Sequence, residues 1–516
     1  MRSVRAVVPP LRCGHYQIPS NHAAAPKAGH PGQAAGSPAP LHNVDKADRP
    51  DISLVVHDRA VPSMRAGRPG AFSLRKVPAP LRHRDFALLW SGQSVSMAGD
   101  GIFIVALALE TLRVDNSPTA LSLVLAARIV PTVCLLLLGG VVVDRIPRRL
   151  AMLTSDAVRG LAVATIAAGS AAGGVHLWAL LVMSVIFGVG DAFFAPASVA
   201  IVPELLPADL LVQGSALTTT SQQVARMLAG PALGGVIVAS QGLAWAFALD
   251  AASFAVSAAC LLLMTSRPRQ APSGRSIIAD AREGLRYCRS QRWLWATMVA
   301  AGIANFAAFS PLSVLVPLLV RGVLHGGPLV LGLVVAAAGV GGAVASLVAG
   351  HAGAPRRRVT AMWLGWGAAG VCVAGLGLAP WAWVAGLLVA VVWGLLMYGN
   401  VLWHPLMQER VPAHLLGRAA SVDWLVSFVG SPLGIVAAGI VAGTIGTRAT
   451  FVAGGGLAAL MTLVLLLPGV RDPEQRGDAP VSSPAAADGV PGEREKAADG
   501  VPGEREEKAI SDARHE

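Results

Sequence analysis

The stretch GGVVVDRIPRRL, Gly139 to Leu150, places one aspartate and three arginines between two long apolar runs. The chain is apolar before this stretch and becomes apolar again directly after it. Two membrane helices joined by a short loop have this pattern, because a helix needs about 20 apolar residues to cross a bilayer. The stretch therefore predicts a turn at one membrane surface, and its arginines indicate the cytoplasmic surface.

The composition of the whole chain also indicates a membrane protein. Of 516 residues, 54% are hydrophobic and 14% are charged, and the mean hydropathy is +0.58. A soluble domain carries about 25% charged residues. The net charge of +11 comes from arginines in short clusters between apolar runs, which is the positive-inside pattern of membrane proteins. We therefore expect a lipid bilayer, and no nucleic acid, as a partner.

Twelve apolar runs are long enough to cross a bilayer as helices, since lipid offers no other partner for the backbone. Arginine-rich and arginine-poor loops alternate along the series, which predicts a multi-pass protein of the plasma membrane with both termini in the cytoplasm. We predict an all-α membrane protein of twelve transmembrane helices in two pseudo-symmetric six-helix halves. The predicted helices are 86–111, 117–142, 150–172, 177–202, 212–239, 244–265, 294–320, 328–351, 359–379, 381–405, 417–443 and 449–469.

Composition divides the chain into five regions. These are a disordered extension at 1–80, a six-helix bundle at 81–265, a cytoplasmic linker at 266–293, a second six-helix bundle at 294–470 and a disordered cytoplasmic tail at 471–516. Met64 is an alternative start, and the tail contains AADGVPGERE twice, at 486–495 and 497–506. The linker is predicted to contain an amphipathic helix held by acidic lipid headgroups, with a plain polar linker as the alternative.

The opening stretch also resembles a known signature. Two groups of six helices around a basic central segment resemble the major facilitator superfamily, which carries a Gly–Asp–Arg–Arg signature between helices 2 and 3. Here the matching residues are Gly140, Asp144, Arg145, Arg148 and Arg149. Val143 and Pro147 depart from the pattern, where the family has a small residue and a glycine.

The resemblance implies a conformational gate at this loop. In that family the signature aspartate contacts the start of helix 11, so Asp144 is expected to lock the inner ends of the two halves together. Asp156 and Arg159 lie one helical turn apart at the start of helix 3. We expect both residues to join this cytoplasmic group of charges.

Other phrases carry the resemblance further. GPALGG in helix 5 is similar to the core of an antiporter motif, with Gly230, Pro231, Gly234 and Gly235 as its residues, although Arg226 stands where an upstream glycine is expected. The phrases HRDFALLWSGQSVSMAGDGIF (83–103), LAARIVP (125–131), GVGDAFFAPASVAIVPELLP (188–207) and QERVPAHLLGRAAS (408–421) resemble the branch of macrolide and siderophore exporters.

Four ionisable residues fall near the middle of predicted membrane helices: Asp100, Arg128, Asp191 and Arg226. Such residues are costly in lipid and mark a partner, a cavity or a proton pathway. Their formal charges cancel, so two opposite pairs or one network would lower the cost. Asp100 and Asp191 are our candidates for protonation coupled to transport. The alternative is a static buried pair, such as Asp100 with Arg128.

The second half offers few charges, and we predict Asn305 and Asn400 as weak candidates for the substrate cavity. The sequence contains no GxxxxGK[ST] or HExxH pattern, and its five cysteines lack metal-ligand spacing. We therefore predict no catalytic residue, no metal, no cofactor and no enzyme activity.

The expected function is secondary active transport. We predict a monomeric, proton-coupled exporter of hydrophobic or amphipathic small molecules, of the drug, macrolide or siderophore type, that works by alternating access. The alternative is a protein of the same fold without antiport, such as a lipid flippase or facilitator or a non-transporting membrane sensor.

Overall fold

The computed structural model describes residues 78–143, 146–265, 277–352, 355–471 and 473. Twelve helices in this part are long and apolar enough to cross a membrane, so the predicted fold class is confirmed. We number them spans 1 to 12: Arg84–Val114, Pro118–Val143, Arg148–Ala171, Leu177–Leu205, Ala208–Gln241, Leu243–Leu263, Arg292–Val323, Pro328–Ala352, Arg358–Leu376, Ala382–Arg410, Leu416–Ile445 and Thr447–Leu466. The predictions for 1–77, for most of the tail, and for Asp144 and Arg145 lie outside the described residues.

Three spans depart from the continuous helices that hydropathy predicts. Span 5 contains a π-helical segment at Val224–Ala229, and span 7 contains two, at Asn305–Phe309 and Leu319–Val323. Span 11 is interrupted by a turn at residues 429–430. π-Helical turns are rare and occur often at functional sites. Arg226 and Asn305, two of the predicted site residues, both lie in such segments.

Span 5 joins the two halves through glycines of the GPALGG motif. A Cβ atom on Gly230 would lie 2.7 Å from the Cα of Gly101 in span 1. A Cβ atom on Gly235 would lie 3.0 Å from the Cα of Gly332 in span 8. Real Cβ atoms are not found so close to backbone, so only glycine permits this helix contact. Span 5 therefore packs against its own half on one face and against the other half on another.

Span 11 repeats this arrangement in the second half. A Cβ atom on Gly434 would meet the backbone of Phe306 in span 7, and one on Gly439 would lie 2.7 Å from the carbonyl oxygen of Pro118 in span 2. Span 5 thus packs on spans 1 and 8, and span 11 packs on spans 7 and 2. This exchange of equivalent partners is the pseudo-two-fold symmetry predicted for the fold. Gly235 and Gly439 each form a contact between the halves. Both contacts lie at the side of the bundle where span 1 ends and spans 2 and 8 begin.

A helix at Ile277–Ser290, which we call the linker helix, lies between spans 6 and 7. Gly284 approaches span 11 closely, since a Cβ atom there would lie 2.9 Å from the Cβ of Arg418. The Arg418 guanidinium also forms an ion pair with Glu283. Cys288 is fully buried in an apolar cluster with Leu294. The linker helix is therefore docked on the second half by its carboxyl-terminal part.

Candidate functional site

The first half contains a chain of four ionised side chains in its interior. The Arg159 guanidinium, which is fully buried, donates to Asp156 at 2.5 Å and to Asp191 at 2.9 Å. Arg128 donates to the other oxygen of Asp191 at 3.2 Å. The Ser257 hydroxyl donates to the second oxygen of Asp156 at 2.7 Å. We call Asp156, Arg159, Asp191 and Arg128 the buried ion network.

Two features stabilise the buried ion network. Its formal charges sum to zero, which lowers the cost of removing each charge from water. Aromatic rings cover both cations: Arg159 lies over Phe194 at 4.2 Å and over Phe254 at 4.6 Å, and Arg128 lies over Phe187 at 4.6 Å. Cation–π contacts of this kind are favourable when the cation is desolvated. Spans 2, 3, 4 and 6 are thereby tied together at one level of the bundle.

This arrangement corrects two predictions. Asp156 and Arg159 were expected in the cytoplasmic group of charges, but their side chains point into the bundle and reach Asp191 in span 4. The physical reason is depth, because Asp156 is eight residues beyond Arg148 and so lies about 12 Å further along span 3. The alternative pair of Asp100 with Arg128 is also wrong, since Arg128 is bonded to Asp191.

Asp100 is buried in a different way. It is 1% exposed, and its Oδ1 atom has no hydrogen-bond partner in the described part of the chain. Asp250 in span 6 is fully buried and also has an unpartnered oxygen. A Cβ atom on Gly99 would lie 2.5 Å from Asp250 Oδ1, so the two carboxylates are at similar depth. The proximity of Asp100 and Asp250 was not predicted from the sequence.

Arg226 lies close to Asp100 along the contact between spans 1 and 5. Its carbonyl oxygen would be 2.7 Å from a Cβ atom on Gly101, the neighbour of Asp100. Its Nε atom is buried without a hydrogen-bond partner among the described residues. Among the described residues, no ion pair joins Asp100 and Arg226. The four predicted intramembrane residues thus divide into a bonded pair, Arg128 with Asp191, and two that are not bonded to each other.

The described residues of the predicted gate make contacts within the first half. Arg148 donates to Glu204 at 2.7 Å and to the carbonyl oxygen of Ala200 at 2.5 Å, both in span 4. Arg149 donates to the carbonyl oxygen of Leu262 in span 6 at 2.8 Å. Gly140 lies in the helical backbone of span 2. These contacts connect the amino end of span 3 to spans 4 and 6.

A cavity of about 760 Å³ lies between the two halves. Asn305 and Asn400 both line it, as predicted for the substrate site. The wall is largely apolar and rich in aromatic rings, all of which come from the second half among the described lining residues. Its aromatic residues are Phe309, Trp363, Trp366, Trp393, Trp403, Trp424 and Phe428. A cavity of this size and lining suits a drug-sized organic molecule held by a few polar contacts.

Asp423 is a cavity residue that sequence reasoning missed. It lies in span 11, and one of its oxygens accepts a hydrogen bond of 3.0 Å from the Trp403 indole N–H. The Ser427 hydroxyl donates to its other oxygen at 3.4 Å. His404 lines the same cavity. The described residues contain no group of three or more His, Cys, Asp and Glu side chains that could hold a metal ion.

Comparisons with known proteins agree with this fold. The model of the family described as transmembrane secretion effector matches residues 76–489. The chain is 29% identical over 411 residues to the multidrug efflux pump Tap of Mycobacterium tuberculosis, covering 75% of this chain and 96% of that protein. It is 22% identical over 388 residues to macrolide efflux protein A of Streptococcus pyogenes, with coverage of 73% and 94%.

Two solved structures share the fold at low sequence identity. A mutant of the nucleoside transporter NupG matches with a TM-score of 0.59 and 11% identity, covering 74% of this chain and 99% of that one. A bacterial homologue of the human lysosomal transporter Spinster, in an inward-facing and unoccupied conformation, matches with a TM-score of 0.53 and 14% identity. That match covers 77% of this chain and 96% of the other.

Proposed function

Because this chain belongs to the transmembrane secretion effector family of the major facilitator superfamily, we propose that it exports hydrophobic or amphipathic small molecules in exchange for protons. It acts as a monomer in the plasma membrane, with both termini in the cytoplasm and the lipid bilayer around its spans. The cavity of about 760 Å³ between the halves is the observation that supports this proposal most directly. Two relatives of the chain, a multidrug efflux pump and a macrolide efflux protein, support the same proposal.

The way in which the halves touch supports a cycle of alternating access. The close contacts of span 5 with span 8 and of span 11 with span 2 lie at the ends away from the start of span 1. In the proposed cycle these contacts separate and the opposite ends close, so that the cavity changes the side to which it opens. The signature loop with Asp144 closes the opposite ends in that second state.

Asp100 is the proposed proton carrier. A buried carboxylate without a partner is far less costly when protonated, so its proton is taken up or released as the surroundings change. Arg226 in span 5 has no ion pair among the described residues, and in this proposal it is the cation that the ionised Asp100 meets when span 5 moves. Asp191 differs, because two arginines hold it in the ionised form. The sequence predicted a coupling role for both Asp100 and Asp191, and this proposal assigns it to Asp100.

The test uses the full chain in vesicles to which ethidium or a macrolide is added from outside, under an imposed pH gradient with the acidic side inside. Asp100→Asn should abolish pH-driven uptake, because the amide cannot release a proton, while substrate exchange across the membrane without a gradient continues. Asp85→Asn is the matched control, since Asp85 lies at the surface and bonds Thr265. Full pH-driven uptake by Asp100→Asn would contradict the coupling role, and lipid movement without pH dependence in the wild type would favour the flippase alternative.

A further inference from the structure

We propose that the cavity selects organic cations and that the Asp423 carboxylate is the group that recognises the positive charge. This inference rests on the proposed exporter function and names its substrate class. It also separates two possibilities that the sequence left open, a basic drug and an anionic chelator of the siderophore type.

The first argument is the charge of the wall. Among the described residues that line the cavity, Asp423 is the single carboxylate, and none is a lysine or an arginine. The other ionisable lining residue is His404. An ionised carboxylate in an aromatic, water-poor cavity attracts a cation and repels an anion, and the low polarity of the wall strengthens both effects. The cavity therefore favours a ligand that brings one positive charge.

The second argument is that Asp423 is held without being neutralised. Both of its hydrogen bonds come from neutral donors, the Trp403 indole and the Ser427 hydroxyl. These bonds fix the carboxylate in position without adding a positive charge, and His404 is the basic side chain whose charge acts on it among the described residues. Asp191, the carboxylate of the first half, has two arginine partners instead. A positioned carboxylate with no arginine or lysine beside it in the described cavity wall can bind a cation from outside.

The third argument is the arrangement of aromatic rings near this carboxylate. The Trp403 ring packs edge-on against Trp293 at 5.9 Å, which fixes it on the side away from the ligand space. Trp424, the residue after Asp423, stacks with Phe428 at 5.6 Å, and both line the cavity. Aromatic faces stabilise quaternary ammonium and phosphonium groups. Carboxylate and rings together fit a bulky, weakly hydrated monocation.

The experiment compares two probes of equal shape and opposite charge, tetraphenylphosphonium and tetraphenylborate, bound to the purified full-length protein. The wild type should bind the cation at least tenfold more tightly than the anion. Asp423→Asn should weaken binding of the cation at least tenfold, whereas Asp423→Glu should retain it. Glu409→Gln is the control, since Glu409 pairs with Arg358 and does not line the cavity.

If the wild type binds the cation and the anion equally tightly, that result alone overturns the inference. Unchanged cation binding by folded Asp423→Asn would overturn it as well, and a neutral probe such as chloramphenicol shows whether the variant retains its cavity. Failure of the exporter proposal looks different, because the wild type would then give no pH-driven accumulation of the cation above that of protein-free vesicles, although it still binds the cation.

Discussion

At the scale of single residues, Arg159 contributes most to the interior of the first half. It bonds two carboxylates from spans 3 and 4 and lies against two phenylalanine rings. Removing one member of a buried ion pair is costly because the remaining charge stays in a poorly polar interior. The buried ion network is therefore a structural element, whereas Asp100 has no ion pair among the described residues, which is why we propose it as the proton carrier.

Arg159→Gln should reduce the free energy of unfolding by about 3–5 kcal/mol, since Asp156 and Asp191 lose their shared partner. Arg358→Gln, which breaks an exposed pair with Glu409, should cost about 0–1 kcal/mol. Thermal unfolding of both variants in the same detergent measures the difference. Equal loss in the two variants would show that burial of Arg159 adds nothing to its ion pairs.

Cys288 offers a pH-dependent readout of the linker helix. Burial, followed by the nearby charge of Asp423, raises the pKa of its thiol from 9.0 to about 11. Less than about one hundredth of it is then thiolate at pH 8, because a raised thiol pKa shifts ionisation to higher pH. In a variant with Cys288 as its single cysteine, the rate of alkylation by N-ethylmaleimide should rise about tenfold per pH unit between pH 8 and 10.

The matched control is Ser290→Cys, an exposed position on the same helix, in a background without Cys288. It should react at least tenfold faster at pH 8. Glu283→Gln removes the ion pair with Arg418 and should increase the rate at Cys288 by loosening the linker helix. An unchanged rate in that variant would mean that apolar packing alone holds the helix on the second half.

At the scale of helices, span 5 depends on glycine. A Cβ atom on Gly230 would lie 2.5 Å from the carbonyl oxygen of Ala98 and 2.7 Å from the Cα of Gly101. Gly230→Ala should therefore cost about 1–3 kcal/mol of stability through overpacking. Gly456→Ala in span 12 meets nothing within 4 Å and should be neutral or should stabilise by about 0.5–1 kcal/mol. Unfolding in detergent distinguishes the two substitutions, and equal stability would contradict the close contact between spans 1 and 5.

Hydropathy was sufficient to predict the helices but could not predict which side chains meet. A run of apolar residues specifies a membrane span because its backbone must be satisfied within the helix. The partner of Arg159 depends on the rotation of spans 3 and 4 about their axes, and no periodicity within one helix encodes that. For the same reason Asp423, seven residues into span 11, resembled an interfacial residue until its neighbours in span 10 were known.

The turn in span 11 and the π-helical segments were also missed. The turn in span 11 comes just before Pro432, and the π-helical segment at Asn305–Phe309 comes just before Pro311. Proline interrupts the helix hydrogen bonds of the preceding turn, so these prolines were the signal in the sequence. The GPALGG motif was recognised, but its two-sided role depended on Gly101 and Gly332, which are distant in sequence.

At the scale of the whole molecule, the contact between spans 2 and 11 should open during transport. Thr119 and Gly443 face each other there, with the Thr119 hydroxyl 4.0 Å from a Cβ atom on Gly443. In a cysteine-free background, the pair Thr119→Cys and Gly443→Cys should form a disulfide on oxidation and lose at least nine-tenths of transport. Reductant should restore it, and each single variant should be insensitive to oxidant. Full transport by the cross-linked protein would show that this contact stays closed throughout the cycle.

The two halves share one architecture but differ in chemistry. The buried ion network and Asp100 are in the first half, whereas Asn305, Asn400, Asp423 and the aromatic wall of the cavity are in the second. A substitution among the tryptophans of spans 9 and 10 alters the cavity and leaves the arginines of spans 2 and 3 untouched. Mutations in the second half can therefore change which molecules the cavity accepts, while the residues that we propose for proton coupling, all in the first half, stay the same.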